Sequence, residues 1–339
     1  MKLKRFSTFG IRSIWRFMML GSCVVCSAQV DNPMKKLVEG LAIGSVPPDL
    51  LATKSIVLYD PTFTDKELQQ VQTGFERTGV DAVVHLPMDM PMCNRDVQKA
   101  FSDYLIKREI KYFVFLLKRP TEMEFVFTEF CRTTELMVAG QSGWKLTGKT
   151  IAEISMDIYR TALNSQKRIN MLVNPIPEFV LKLSFIKGTR GEYFATDLKV
   201  DKVAVIKTGD EEKDKALEEI FKNHYPFKYE FVASGTEESA IRQKGFLYLL
   251  SYIHTRGNPA MELLEYDMLK AGSAIASVTY PNGQMQLKTN SAEDLVYKFY
   301  FKHLENGSIF LGTKWDADPN WQQALANQLK GLKAEMKVK

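Results

Sequence analysis

The feature that most limits the fold of this chain is a repeated alternation of short apolar runs with amphipathic helical segments. Residues 55–60 (SIVLYD) and 81–86 (DAVVHL) are short and rich in β-branched residues, which is typical of buried strands. Between them, Thr64 and Glu67 have the spacing of a capping box, and apolar residues then recur on one helical face. The segment therefore predicts a strand, a helix and a second strand.

The same alternation continues to residue 165. Residues 95–110 predict a second helix, and residues 112–117 and 125–130 predict the two strands of a hairpin. Residues 150–165 predict a closing helix, because their isoleucines recur at helical spacing. The predicted order of this first block is β-α-β-α-β-β-α.

A second block shows a similar order. Residues 202–207 predict a strand, and Thr208 and Glu211 have the spacing of another capping box. The very apolar segment 237–254 predicts a helix that is buried on most sides. The remaining segments predict strands at 228–233, 261–268, 275–280, 285–288, 297–301 and 308–311, and a closing helix at 320–336.

We therefore expect an α/β fold with mixed sheets, built from two similar β-α-β-α-β-β-α units. An internal duplication would explain the similarity, but any α/β chain offers some alternation of this kind. The predicted boundaries are a signal peptide at 1–28, a leader or linker at 29–53, a first α/β domain at 54–166, a connection at 167–200 and a second α/β domain at 201–339.

The amino terminus has the pattern of an export signal. A basic stretch precedes an apolar segment of 12 residues, FMMLGSCVVCSA, which is too short to span a bilayer. Small residues up to Ala28 favour cleavage before Gln29, whereas the lipobox pattern Leu20–Cys23 would instead make Cys23 a lipidated amino terminus. We expect a periplasmic protein or an outer-membrane lipoprotein, with no transmembrane span in the mature chain.

The charge balance argues against a nucleic-acid partner. The chain has 45 Lys and Arg and 40 Asp and Glu. Five of the basic residues and no acidic residue lie within residues 1–28, so the mature chain has equal numbers of both signs. Proteins that bind nucleic acid need a basic face to displace counterions from phosphate. The mature composition indicates no such surface.

One motif suggests an enzyme. Residues 143–150 (GWKLTGKT) match the phosphate-binding pattern G-x-x-x-x-G-K-[ST], in which Gly143 and Gly148 would shape a loop, Lys149 would reach phosphates and Thr150 would hold Mg²⁺. The bulky Trp144 within the loop and the export signal argue against this interpretation. It remains the alternative hypothesis, a nucleoside triphosphatase that uses Mg²⁺.

The other reactive side chains do not form a recognisable set. The four histidines are too far apart in sequence to indicate a zinc site, and no nucleophile-and-base arrangement can be assembled, so we predict neither a catalytic residue nor a metal ligand. Two states are open for Cys93 and Cys131, a disulfide in an oxidising compartment or two free thiols.

The helix, strand, polar turn and strand of residues 101–126 (FSDYLIKREIKYFVFLLKRPTEMEFV) carry a resemblance of topology. Over residues 54–165, and more weakly over 201–336, the chain resembles the small α/β envelope domains of the Tol-Pal propeller protein's amino-terminal part and of curli-secretion-type lipoproteins. The resemblance implies a partner-binding or assembly role at the outer membrane. We expect a non-enzymatic envelope protein that binds another periplasmic or outer-membrane component.

Overall fold

Mixed α/β structure fills the described part of the chain, which comprises residues 33–138, 140–165, 170, 172–179, 181, 183–267 and 272–338 of a computed structural model. The strands are β1 (Ala42–Ile43), β2 (Lys54–Tyr59), β3 (Asp81–Pro87), β4 (Ile110–Lys118), β5 (Met123–Glu129), β6 (Ser142–Gly148), β7 (Arg190–Gly191), β8 (Val203–Ile206), β9 (Tyr229–Val232), β10 (Tyr248–Arg256), β11 (Ala274–Thr279), β12 (Gln286–Ser291), β13 (Leu295–His303) and β14 (Ile309–Phe310). The helices are α1 (Pro33–Glu39), α2 (Asp65–Thr78), α3 (Arg95–Lys107), α4 (Ile151–Ser165), α5 (Glu211–His224), α6 (Glu238–Gln243), α7 (Gly257–Leu263) and α8 (Trp321–Glu335).

Two six-stranded sheets have the same strand order and the same strand directions. The first sheet runs β1-β6-β5-β4-β2-β3 and the second runs β7-β14-β13-β10-β8-β9. In each sheet, the third strand in this order (β5 or β13) is antiparallel to its two neighbours. The other pairs of neighbouring strands are parallel. The predicted α/β class with mixed sheets is confirmed, whereas an origin by duplication stays a prediction.

Helices cover both faces of the first sheet. Helices α2 and α4 pack on one face in a core that includes Phe75 and Ile154. Helix α3 packs on the opposite face, in a second core that also contains Ile253 and Tyr300 from the second sheet. Helices α5 and α8 cover the far face of the second sheet. We call residues 33–165 the first lobe and residues 190–338 the second lobe; they share the core around α3.

One insertion distinguishes the second lobe from the first at the connection between the two antiparallel strands. In the first lobe a tight turn at residues 119–122 joins β4 to β5. In the second lobe, α7 and the antiparallel hairpin of β11 and β12 lie between the corresponding strands β10 and β13. The hairpin packs against α8, whereas no described residue gives α4 an equivalent cover in the first lobe.

The segment predicted as a buried helix at 237–254 is wrong over most of its length. Only residues 238–243 are helical, and the apolar run that follows is the central strand β10. Gly245, with a φ of 83°, ends the helix. Strand β10 pairs with β8 and β13 along its two edges. Its neighbouring residues Tyr248 and Leu249 are both buried, so the strand lacks the strict alternation of polar and apolar residues that identifies a half-exposed strand.

Two smaller predictions also fail. Residues 261–268 were expected as a strand, but α7 continues to Leu263. The cap of α5 is Asp210, whose carboxylate accepts from the amides of Glu212 and Lys213, so Thr208 and Glu211 do not form a capping box. The leader contains α1 and β1, and Met34 of α1 is buried in the shared core. By contrast, the capping box of Thr64 and Glu67 is confirmed.

Candidate interaction surface

An open groove of about 950 Å³ runs between α2 and α4 on the outer side of the first lobe. Its wall on α2 is one helical stripe that includes Lys66, Gln70, Thr73 and Arg77. Its wall on α4 includes Ala152, Ser155, Met156 and Tyr159. From Lys66 to Arg77 the groove follows about 17 Å of helix at a rise of about 1.5 Å per residue. That length accommodates a short peptide segment.

A close helix crossing shapes the floor of this groove. Gly74 faces Ser155, and a Cβ placed on Gly74 would lie 2.3 Å from the Ser155 Oγ. The apolar stripe of α2, which includes Val71 and Phe75, is turned inward to the sheet. The inward stripe and the glycine bring the two helices close together. The outward-facing side chains of both helices therefore form the two walls of the groove.

The side chains of the groove combine apolar surface with unpaired positive charge. Met156 is 50% exposed and Tyr159 is 44% exposed. Lys66 and Arg77 form no ion pair with any residue in the described part of the chain, and none of the groove's lining residues is acidic. A partner that fits this surface presents apolar side chains together with carboxylates.

The second lobe shows the same helix face covered by polypeptide. In α4, Ile154 and Ile158 point inward and are fully buried, as are Leu325 and Leu329 in α8. Counting from these inward pairs, the positions that correspond to Ala152, Met156 and Tyr159 are Gln323, Asn327 and Lys330. All three corresponding side chains of α8 bind the inserted hairpin.

Three hydrogen bonds of ordinary length join these side chains to the hairpin. Gln323 Nε2 donates to Thr279 Oγ1 at 3.1 Å, and Thr279 Oγ1 donates to Asn327 Oδ1 at 3.1 Å. Lys330 Nζ donates to the carbonyl of Tyr280 at 3.1 Å. Asn327 is fully buried, whereas Met156 at the corresponding position is half-exposed. Within the described residues, this face of α4 is thus the uncovered counterpart of a face of α8 that binds a hairpin of the same chain.

The phosphate-loop residues do not form the loop that the motif predicts. Gly143 and Gly148 lie in β6, which pairs with β5 along residues 144–148. Trp144 is buried against Phe127, with ring centroids 5.0 Å apart. Because successive amides of an extended strand point to opposite sides, the amides of β6 do not converge on one point as those of a phosphate loop do.

Lys149 and Thr150 begin helix α4 instead. The Lys149 amide donates to Glu153 Oε2 at 2.8 Å, and the Glu153 amide donates to Thr150 Oγ1 at 3.2 Å. This is a capping arrangement in which the threonine hydroxyl serves the helix start. Of the predicted phosphate-binding residues, only Thr150 lines the groove. Nothing in this geometry favours Mg²⁺ or a nucleoside triphosphate there.

Both cysteines of the described chain are free thiols, so the structure has no disulfide between Cys93 and Cys131. Cys93 is buried in the loop before α3, and its carbonyl accepts from the His254 amide at 3.1 Å. Burial raises the pKa of the Cys93 thiol. Cys131 follows β5 and is 3.0 Å from the Thr133 hydroxyl. The lipidation candidate Cys23 and the rest of the predicted signal peptide, residues 1–28, lie outside the described residues.

The histidines have structural partners. His85 is fully buried and its Nε2 lies 3.1 Å from Gln72 Oε1. Desolvation lowers the pKa of His85 to about 4. His254 stacks on Tyr297 with ring centroids 3.8 Å apart. Among the residues that the structure describes, no three His, Cys, Asp or Glu side chains are grouped so that they could hold a metal ion.

Comparisons with known proteins give no assignment. A scan against protein-family models finds no match, and searches of curated proteins and of solved structures find none either. None of the described helices combines the length and the apolar character needed to cross a bilayer. The function proposed below therefore rests on the residues of this chain.

Proposed function

We propose that this chain is an exported, non-enzymatic protein that binds another periplasmic or outer-membrane protein through the groove between α2 and α4. The observation that carries the proposal is the uncovered face of α4, whose counterpart on α8 is covered by the β11–β12 hairpin. The amino-terminal export pattern supports a partner in the cell envelope.

The chemistry of the groove selects the partner. Exposed Met156 and Tyr159 offer apolar and aromatic surface, which is the composition of interface centres. Lys66 and Arg77 at the two ends of the groove favour a segment with carboxylates at a matching distance. The chain's own signal segment does not fit, because its five charged residues are all basic.

Binding of the purified mature protein to detergent-solubilised native envelope proteins tests the proposal. A specific partner is one whose binding saturates as the protein concentration rises. We expect Tyr159→Ala, and separately the charge reversal Lys66→Glu, to reduce the amount of this partner that is recovered about tenfold or more. Matched controls are Tyr193→Ala, which removes a tyrosine that is 68% exposed elsewhere, and Lys222→Glu on α5.

Equal loss in the groove variants and in the controls would show that the groove does not direct binding. The enzymatic hypothesis has its own measurement, binding of ATP with Mg²⁺ to the wild-type protein and to the Lys149→Ala variant. ATP binding that depends on Lys149 would favour the hydrolase hypothesis and contradict the non-enzymatic one.

A further inference from the structure

The outer edge of the first sheet is covered by the segment that follows α4. Glu178 pairs with Val84 of β3 in a parallel bridge. The Glu178 amide donates to the Val83 carbonyl at 3.0 Å, and the Glu178 carbonyl accepts from the His85 amide at 2.8 Å. A single extended residue thus satisfies both outward-facing backbone groups at the centre of this edge.

The corresponding edge of the second sheet is bare. Strand β9 occupies the place of β3, and no residue that the structure describes pairs with its outer side. The carbonyls of Lys228 and Val232 accept from β8, so in a parallel ladder the alternate residues Tyr229 and Phe231 direct their backbone groups outward. These are the counterparts of Val83 and His85.

Side chains at corresponding positions of the two lobes have similar chemistry. In the first lobe, Glu178 forms an ion pair with Arg108, the C-cap residue of α3, and Phe179 packs edge-on against His85 at 5.3 Å. In the second lobe, the C-cap residue of α6 is Lys244 and the residue in the place of His85 is the aromatic Phe231.

The backbone after these two C-caps is also the same. Glu109 follows Arg108 with a φ of 59°, and Gly245 follows Lys244 with a φ of 83°. Lys244 is exposed and forms no ion pair within the described part of the chain. The only acidic side chain on β9, Glu230, is already paired with Lys202 at 2.8 Å. At the position that corresponds to Arg108, the second lobe therefore has an exposed positive charge with no described partner.

We propose that the outer edge of β9 binds an extended peptide segment of a partner protein, which runs parallel to β9 and carries a carboxylate residue followed by an aromatic residue. The backbone of the carboxylate residue bonds to the Tyr229 carbonyl and the Phe231 amide. Its side chain pairs with Lys244, and the following aromatic ring contacts Phe231. This is strand addition to a sheet edge, and it is independent of the groove between α2 and α4.

A synthetic peptide with the sequence NPIPEFVL, that of residues 174–181, is the probe, because it contains Glu178, which pairs with the corresponding edge in the first lobe. Titration into the full mature chain, followed by amide NMR, is expected to shift the signals of β8 and β9. Hydrogen exchange of the Phe231 amide is expected to slow about tenfold at saturation.

Two pairs of variants separate backbone pairing from general loss of surface. Phe231→Pro removes the outward amide, whereas Phe231→Ala removes the same ring and keeps the amide; only the proline variant is expected to abolish binding. A peptide with Lys in the place of its Glu is expected to bind about tenfold more weakly, and to recover on the Lys244→Glu protein.

Absence of any β9 shift at millimolar peptide would overturn the proposal. So would binding that survives Phe231→Pro, or shifts confined to other surfaces. Failure of the charge exchange with Lys244 would overturn the assigned carboxylate contact.

Discussion

Acidification is expected to destabilise this protein through His85. The imidazole is fully buried, and its Nε2 faces the Gln72 carbonyl oxygen, while Gln72 Nε2 donates to the Asn174 carbonyl. This arrangement assigns Nε2 as the protonated nitrogen of a neutral ring. The other nitrogen, Nδ1, is buried and has no hydrogen-bond partner among the described residues, so a proton added at Nδ1 would find no acceptor there.

The magnitude follows from the two protonation equilibria. Desolvation lowers the pKa of His85 from 6.5 to about 4 in the folded protein. Because the folded state binds fewer protons between these values, the free energy of unfolding falls as the pH drops through this window and is recovered above it. The full loss is about 3.4 kcal/mol, and at pH 5 it is about 2 kcal/mol.

Urea unfolding at pH 8 and pH 5 measures this loss in the wild-type protein and in His85→Gln. Glutamine can donate to Gln72 and does not titrate, so the variant lacks this contribution while it retains those of the carboxylates and of the other histidines. We expect the wild type to lose about 2 kcal/mol more than the variant between the two pH values. Parallel losses in the two proteins would refute a buried neutral imidazole.

Three further outcomes follow from the packing. Gly74→Ala is expected to cost about 1–3 kcal/mol in urea unfolding, because the added methyl pushes α2 away from α4. Lys298→Ala is expected to cost about 3–5 kcal/mol by the same measurement, since it leaves Asp316, whose Oδ1 lies 2.6 Å from Lys298 Nζ, buried without its partner; the double change Lys298→Met with Asp316→Leu is expected to cost much less. Titration with a thiol reagent is expected to modify Cys131 in the native protein and Cys93 only after unfolding.

Local sequence patterns predicted the elements that have one buried face and one exposed face. Helix α2 is an example, because its capping box and its inward stripe are both visible in the sequence. Strand β10 was mistaken for a helix, since some buried side chains lie on each of its faces and its sequence shows no alternation of polar and apolar residues. Strand β6 was not predicted, because its residues match a phosphate-loop motif. In the structure these residues pair with β5.

The groove could not be predicted because polarity does not reveal exposure at this helix face. Asn327 is polar and fully buried, because the inserted hairpin covers it. Met156 at the corresponding position is apolar and half-exposed, because the first lobe has a short turn where the second has that hairpin. A signal was present in the spacing, since Met156 and Tyr159 each lie next to the inward face of a well-defined helix, but only the tertiary structure shows that nothing described covers them.

Photocrosslinking in living cells tests most directly whether the face of α4 binds an envelope protein. A benzophenone amino acid would replace Tyr159 in the groove, Tyr193 on an exposed surface outside it, and Lys330 beneath the hairpin. We expect one discrete adduct with an envelope protein from position 159 and none from positions 193 and 330. No adduct from position 159, or the same adducts from position 193, would contradict this expectation.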